Sequence, residues 1–469
     1  MSGALHPDRL FSSCPEQRAV ARDLYASIRD LPIVSPHGHT DAAWFALNRP
    51  FENATELLIQ PDHYLLRMLY SRGIGLDALG IPAVGGAAPA PDPEAVWQLF
   101  GDNYHLFRGT PTRLWLDHVF GEVFAIDEVL NGDNAGRFYT EINSRLATPA
   151  FLPRSLYERF GIEVIATTES PLDTLEHHRA LAGDPWTGRV VTTFRPDPVV
   201  DPEYENFADN IGRLSGLSGV DCSTYAGYLD ALRERRQFFK AMGATATDHG
   251  HPSAFTADLP RARCEQLYDG ALAGALDASE AEQFRGQLLL EMALMSVEDG
   301  LVMQLHPGVH RNHNPRLFER YGRDRGADIP RREEFTRNLK PLLDRVGNRD
   351  DFTLILFTLD ETAYARELAP LAGHYPAVIL GPPWWFHDSP EGMLRYRRQV
   401  TETAGFYNTA GFNDDTRAFL SIPARHDVAR RIDCRFLAEL VAEHRLHIDE
   451  AAELAADLAG ELARQAYRL

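Results

Sequence analysis

The sequence predicts an α/β fold, a (β/α)8 TIM-like barrel with a large helical insertion after the first strand. Three observations carry that expectation. Short apolar or β-branched runs without strong alternation recur along the chain, as parallel strands buried on both faces require. Helical patterns separate most of them. Polar side chains gather where the runs end, which is the face on which such barrels carry their sites.

The expected strands are 31–37, 163–168, 189–195, 244–248, 301–306, 353–357, 377–380 and 407–410. A helix over 281–298 sets Phe284, Leu288, Met292 and Met295 on one stripe. Residues 42–157, between the first two strands, are rich in helix formers and aromatics and read as a helical insertion over the barrel mouth. The Pro/Ala/Gly stretch Gly80 to Pro93 breaks that insertion, with a flexible excursion at Gly85 to Pro91. Residues 436–469 read as a C-terminal helical segment. Its helix covers 448–467, with Leu454, Leu458 and Leu462 four apart and Asp449 as N-cap. No internal repeat breaks the reading of 1–469 as one catalytic domain.

The chain has 469 residues, 44% hydrophobic and 24% charged, the balance of an ordinary globular protein. A net charge of −20 argues against nucleic acid or an anionic membrane surface as partner. An anionic small substrate would need a local cluster of arginines working against that field. The four cysteines, Cys14, Cys222, Cys264 and Cys434, are scattered without CxxC spacing and read as reduced thiols in a cytoplasm. The first residues lack a basic and an apolar region, so no signal peptide is expected, and no apolar run reaches the length of a membrane span.

The most informative motif closes the first strand: Leu31-Pro-Ile-Val-Ser-Pro-His37-Gly-His39. Side chains two apart on an extended strand point the same way, so both imidazoles can grip one cation. Only two lysines occur, Lys240 and Lys340, each in a helical stretch. Many metal hydrolases on barrel folds bridge two metals with a carboxylated strand-end lysine, and no such lysine is expected here.

Other strand ends are equally polar. Arg195-Pro-Asp197 ends the third strand and Asp248-His249-Gly250 the fourth. His306 ends the fifth, followed by Arg311-Asn-His-Asn314. Trp384-Trp-Phe-His387-Asp388 and Asn413-Asp-Asp415-Thr-Arg417 follow the seventh and eighth. Each has a plainer explanation. A strand-end aspartate often caps the next helix, an arginine often serves a structural ion pair, His249 and His306 suit a packed core, and Trp384 or Trp385 can be core. Six such ends together favour a site.

At this point the chain resembles the uronate (glucuronate) isomerases, a branch of the amidohydrolase superfamily, over roughly residues 8 to 435. The resemblance is carried by Leu31-Pro-Ile-Val with His37-Gly-His39, Phe51-Glu-Asn-Ala-Thr-Glu56, Asp62-His63-Tyr64, Thr167-Thr168 with Pro171-Leu-Asp173 and His177-His178, and Phe194-Arg195-Pro196-Asp197. Further blocks are Asp248-His249-Gly250, Met303-Gln-Leu-His306, Arg311-Asn312, Trp384-Trp385-Phe386, Asp415-Thr-Arg417-Ala-Phe-Leu-Ser421 and Arg425-His426. The chain departs from the pattern at Glu169-Ser170, where the family has Asp-Asp, and at His313, Asp414, Gly381-Pro-Pro383 and His387, as a divergent branch would. These departures leave the metal positions alone and bear on substrate more than on reaction type.

The resemblance implies one divalent metal, zinc, held by His37, His39 and Asp415, a donor set that suits zinc and leaves a position open. It implies interconversion of D-glucuronate with D-fructuronate and of D-galacturonate with D-tagaturonate. A proton leaves C2 and one arrives at C1 through an enediol, so a base must reach C2. The resemblance points to Tyr64, beside His63. Its phenol, with an ordinary pKa near 10, would need arginines or the metal to lower it. Without the resemblance Tyr64 reads as a packing residue. Asp415 could shuttle the second proton. Arg195 and Arg417, with Arg311 third, would meet the C6 carboxylate and developing charge, and His63, His306, Trp384 and Trp385 would line the sugar. The family also implies a homo-oligomer. Two alternatives stand beside this: a metal-dependent hydrolase or decarboxylase acting on a small sugar acid or lactone, and a non-catalytic sugar-acid binding protein.

Overall fold

The computed structural model describes residues 5–86 and 91–469. Nine strands fall in the described residues: β1 (Ile33–Ser35), β2 (Ile162–Glu169), β3 (Arg189–Phe194), β4 (Ala246–His249), β5 (Val302–Leu305), β6 (Val309–His310), β7 (Ile329–Pro330), β8 (Leu354–Leu356) and β9 (Val378–Leu380). Seven form one sheet in the order β1-β2-β3-β4-β5-β8-β9, and each pair in it is parallel. The strands are short and almost wholly buried, because apolar side chains leave on both faces. β6 and β7 pair separately and antiparallel.

The sheet curls into a half-barrel. The backbone N–H of His39, just past β1, donates to Thr416 O at 3.0 Å, far beyond β9 in sequence. The expected eighth strand at 407–410 does not form. Residues 405–408 turn instead: the Thr409 N–H and hydroxyl both donate to Phe406 O. What remains is one isolated parallel bridge, Leu380 to Thr409, with Leu380 N–H on Asn408 O and Ala410 N–H on Leu380 O. The turn takes the donor that a longer ladder would need.

Between β1 and β2 the described residues form helices only, the longest being His63–Ser71, Pro93–Asn103, Pro111–His118 and Ala135–Leu146. They share a core of Phe45, Leu66, Trp97, Phe120 and Phe138 that also takes in Ile33 of β1 and Ile165 of β2. A second core packs the helices after β3 against the sheet, including Phe284, Leu288, Met292 and Met295 of the helix Ala278–Asp299. That helix starts where its sequence allows: Asp277 and Glu280 make a reciprocal capping box. The excursion expected at Gly85 to Pro91 includes residues 87–90, which lie outside the described residues.

The C-terminal helix also departs from expectation. It begins at Ile448 and is wound as a π-turn over Asp457–Glu461 before Leu462–Tyr467. Its N-cap is His447, whose N–H donates to Glu450 at 2.9 Å; Asp449 lies inside the first turn. Leu454, Leu458 and Leu462 are buried as expected. The last turn reaches into the curl of the sheet, where Ala463 meets Val34, Val164 and Val191, and Tyr467 donates to Gln304 of β5. Lys240 and Lys340 both sit in helices, Tyr225–Ala241 and Lys340–Val346. No helix among the described residues is long and apolar enough to cross a membrane.

Candidate active site

A cavity of about 710 Å³ opens at the C-terminal ends of the strands. The side chains expected from sequence, His37, His39, His63, Tyr64, Arg195, His306, Arg311, Trp384, Trp385, Asp415 and Arg417, all line it.

At its floor three groups converge. Asp415 Oδ1 lies 3.1 Å from His39 Nε2 and 3.5 Å from His37 Nε2. Asp415 is held at φ +40°, an uncommon conformation for a residue other than glycine and one that sites often retain. Burial pushes the His37 imidazole down to about 4, against the pull of Asp415 and Asp248, so it is neutral at pH 7. Burial opposes ionisation of Asp415, but His37 and His39 outweigh it and hold the carboxyl well below its ordinary range. A neutral imidazole and an ionised carboxylate are the states a metal ligand requires. His37 also belongs to a second convergent group with Asp248 and His306. The Nε2 of His306 is buried with no protein partner. Two imidazoles, a carboxylate and an unsatisfied third imidazole fit a divalent cation.

Asp248 ties this floor to the cationic side. Its Oδ1 meets His306 Nδ1 at 2.7 Å and its Oδ2 accepts from Arg195 Nη1 at 2.9 Å. Arg195 Nε donates to Asp197 at 2.9 Å. Burial disfavours that guanidinium, but Asp248 and Asp197 hold its pKa above the ordinary value. Arg195 and Arg311 converge at Gly250: a Cβ added there would run into Arg195 Nη2 and come within 3.0 Å of Arg311 Nη2. The Asp197 carboxylate, 2.7 Å from that point, shares the space with the two guanidinium groups. The arginine cluster that an anionic substrate demands of so acidic a chain is therefore present, with Arg323, Arg331, Arg417 and Arg425 also on the lining.

The aromatic and helix-borne wall completes the cavity. Trp384 packs edge-on to His306 at 4.7 Å, and His306 stacks on Phe357 at 3.9 Å. Trp385, at φ +30°, lies 6.1 Å from His63. Arg417 Nη2 donates to Asp324 at 2.8 Å, and Arg311 lies 3.5 Å from Asp328. Burial, followed by the Arg417 charge, lowers His63 to about 4. Tyr64 donates to Asp388 Oδ1 at 2.6 Å. The expected lowering of its pKa is not met by the protein's own groups. Burial and the Asp388 charge hold the phenol well above its ordinary value, and Arg425 only partly offsets them.

Some strand-end residues play plainer parts. His249 turns to the Thr247 hydroxyl at 3.0 Å and is absent from the lining. Asn314 caps the helix Pro315–Tyr321. Sequence reasoning passed over Asp248, Asp388, Arg425 and Asp324 as site residues. Asp248 and Asp388 stood in polar strand ends, which was a usable signal. Asp324, in an alternating Arg-Asp-Arg run, offered none.

The family model for glucuronate isomerase matches residues 14–466. The chain belongs to the glucuronate isomerase family. A uronate isomerase of Xanthomonas axonopodis pv. citri is 63% identical over 466 residues, covering 99% of each chain. Among solved structures, a glucuronate isomerase from Caulobacter crescentus is 56% identical, with a TM-score of 0.97 over 99% of this chain and 97% of that one. A uronate isomerase from Thermotoga maritima retains a TM-score of 0.92 at 27% identity, over 99% of each. Membership of the glucuronate isomerases makes an aldose-ketose isomerase of this chain.

Proposed function

We propose that the chain interconverts D-glucuronate with D-fructuronate and D-galacturonate with D-tagaturonate. The observation that carries this reading is one cavity holding both a His/His/Asp group and a convergent arginine pair. A uronate is a carbonyl at one end and a carboxylate at the other, and the two features match those ends. His37, His39 and Asp415 would hold one divalent cation, zinc by the chemistry of the donors. When bound, it supplies Lewis-acid polarisation of the sugar's carbonyl end.

The chain's own residues do the rest. Arg195 and Arg311 take the C6 carboxylate, since planar guanidinium groups match its oxygens. Arg417 and His63 stand on the Tyr64 side and bear on the hydroxyls and developing charge. His306, with its unpartnered Nε2, donates to or accepts from a substrate oxygen, and Trp384 and Trp385 cover the sugar and exclude water. Tyr64 removes the C2 proton and Asp415 assists the transfer to C1. The helices between β1 and β2 act as the cover that brings His63 and Tyr64 over the strand ends. A homo-oligomer in the cytoplasm belongs to the same reading, by analogy with the family.

Proton NMR of D-glucuronate and D-galacturonate incubated with metal-replete protein in D2O tests it. Ketose signals from either uronate support the reading. Unchanged uronates with metal confirmed bound would overturn it and direct attention to hydrolysis of lactones and sugar acids.

A further inference from the structure

The C-terminal helix ends inside the curl of the sheet, and its last aromatic side chain is wired to the cavity floor. Tyr467 and Gln304 are both fully buried, and neither lines the cavity. The Tyr467 hydroxyl donates to Gln304 Oε1 at 3.0 Å and accepts from Asn413 Nδ2 at 3.0 Å. Gln304 Nε2 donates to Thr247 O at 3.3 Å and lies 3.4 Å from His37 Nδ1. Gln304, on β5, stands two residues before His306, and Asn413 stands two before Asp415. One phenol therefore joins the three segments that carry His37, His306 and Asp415. Burial holds that phenol above its ordinary range, so it stays a neutral hydroxyl that both donates and accepts. The chain is strapped beyond it as well: Arg468, at φ +55°, donates to Gly300 O and Asp351 O at 2.8 Å each.

We propose that Tyr467, acting through Gln304, is a positioning residue that sets the orientation and proton placement of His37 as a metal ligand. This rests on the reading of His37, His39 and Asp415 as the metal group. His37 Nε2 is the nitrogen that faces Asp415, at 3.5 Å, so Nδ1 is the outer one. An imidazole that ligates through Nε2 carries its proton on Nδ1 and needs an acceptor there, and such partners aim metal-binding histidines. Gln304 is the side chain at Nδ1, and its amide offers two faces. The nitrogen face suits an imidazole with its proton on Nε2. The oxygen face suits the ligating one. Turning the amide about its last bond exchanges the two and gives up the 3.3 Å bond to Thr247 O. The Tyr467 hydroxyl can follow either face, because it donates to the oxygen or accepts from the nitrogen. Asn413, with an amide of its own, closes the chain in both directions. The imidazole stays neutral throughout: one proton leaves Nε2 and one is held at Nδ1. The C-terminal helix thus reaches a ligand 430 residues earlier in the chain.

Zinc affinity, measured by competition with a chromophoric chelator, tests this apart from activity. Tyr467→Phe keeps the ring and removes the hydroxyl. Gln304→Met keeps the length of the side chain and removes the amide. Each should weaken zinc binding about tenfold or more and alter the visible spectrum of the cobalt(II)-loaded protein. The double variant should lose no more than Gln304→Met alone, because Tyr467 acts through Gln304. A phenol that only packs would lower the urea midpoint of the chelator-treated protein and leave zinc affinity within about twofold, and that result would overturn the proposal. So would losses that add in the double variant. His37→Ala checks the reading beneath it. Zinc held at wild-type affinity by His37→Ala would remove His37 from the metal group. Zinc lost by His37→Ala but held unchanged by Tyr467→Phe would leave that reading standing and overturn the proposal alone. Should Gln304→Met not fold, the zinc affinity of Tyr467→Phe decides by itself.

Discussion

The floor of the cavity and its outer wall hold their charges in different ways. His37 and His306, at the ends of β1 and β5, are 1% and 2% exposed. Asp248 joins His306 to Arg195, and Arg195 is bonded again to Asp197. Across the cavity, the side chains of Arg417 and Asp324 are 42% and 38% exposed and pair mainly with each other. The floor groups are fixed by their own mutual bonds, so changing one strips partners from buried charges. A wall pair of this kind is screened by water and contributes little to stability. Loss of function at the floor should therefore come with loss of stability, and at the wall without it.

Asp415→Ala should have the largest effect. It removes a carboxylate from the convergent group, and kcat/KM should fall on the order of 10⁴-fold together with bound metal, as read by elemental analysis. Retained metal and activity would remove Asp415 from the site. Arg195→Met comes next. It should cost about 10³-fold in kcat/KM and also about 3–5 kcal/mol of stability in urea, because Asp197 and Asp248 are left buried without their cation. Unchanged unfolding would show that the floor is less tightly coupled than its bonds imply.

Gly250→Ala sharpens the contrast from the substrate side. The new methyl would push Arg195 and Asp197 aside and press on Arg311, so KM for D-glucuronate should rise about tenfold with a smaller change in kcat. An unchanged KM would dissociate these arginines from the carboxylate.

Glu169, at the end of β2, adds a pH test. Burial raises its carboxyl to about 7, against the hydroxyls of Thr167 and Thr192. In an unfolded chain a glutamate titrates near 4.3. Between those values the folded chain keeps a proton that the unfolded chain has released. Stability from this group is full below about pH 4, falls as pH rises through the window, and is gone above about 7. Glu169→Gln should stabilise the protein at pH 8 by about 2 kcal/mol relative to its effect at pH 4, measured by urea midpoints. Equal effects at both pH values would contradict this. The smallest effect belongs to the wall: Asp324→Asn should change stability by less than about 1 kcal/mol in the same measurement.

Much of this was legible in the chain. Seven parallel strands were found within a few residues, because burial on both faces writes continuous apolar runs. The eighth failed because Tyr407-Asn-Thr-Ala410 has strand-like composition but spends its hydrogen bonds on a turn at Phe406. His37 and His39 were legible from strand periodicity, since two residues apart on a strand is a geometric statement. His63 and Tyr64 could be singled out only by resemblance, because a helix before a packed core says nothing of a cavity. Asp388 and Arg425 each stood in a legible motif, but that Asp388 meets Tyr64 was out of reach for a different reason: the bond spans 324 residues. No local pattern encodes such a contact.

On the proposed reading the sugar lies between the strand-end floor and the Tyr64 wall, and one base carries the proton from C2 to C1. Incubating the enzyme with C2-deuterated D-glucuronate in ordinary water and reading the ketose by NMR at low conversion tests it most directly. Deuterium at C1 of the product is expected, because a half-buried phenol held on Asp388 returns what it took before solvent exchanges it. Ketose carrying only solvent hydrogen at C1, from the first turnovers onward, would contradict a single shielded base.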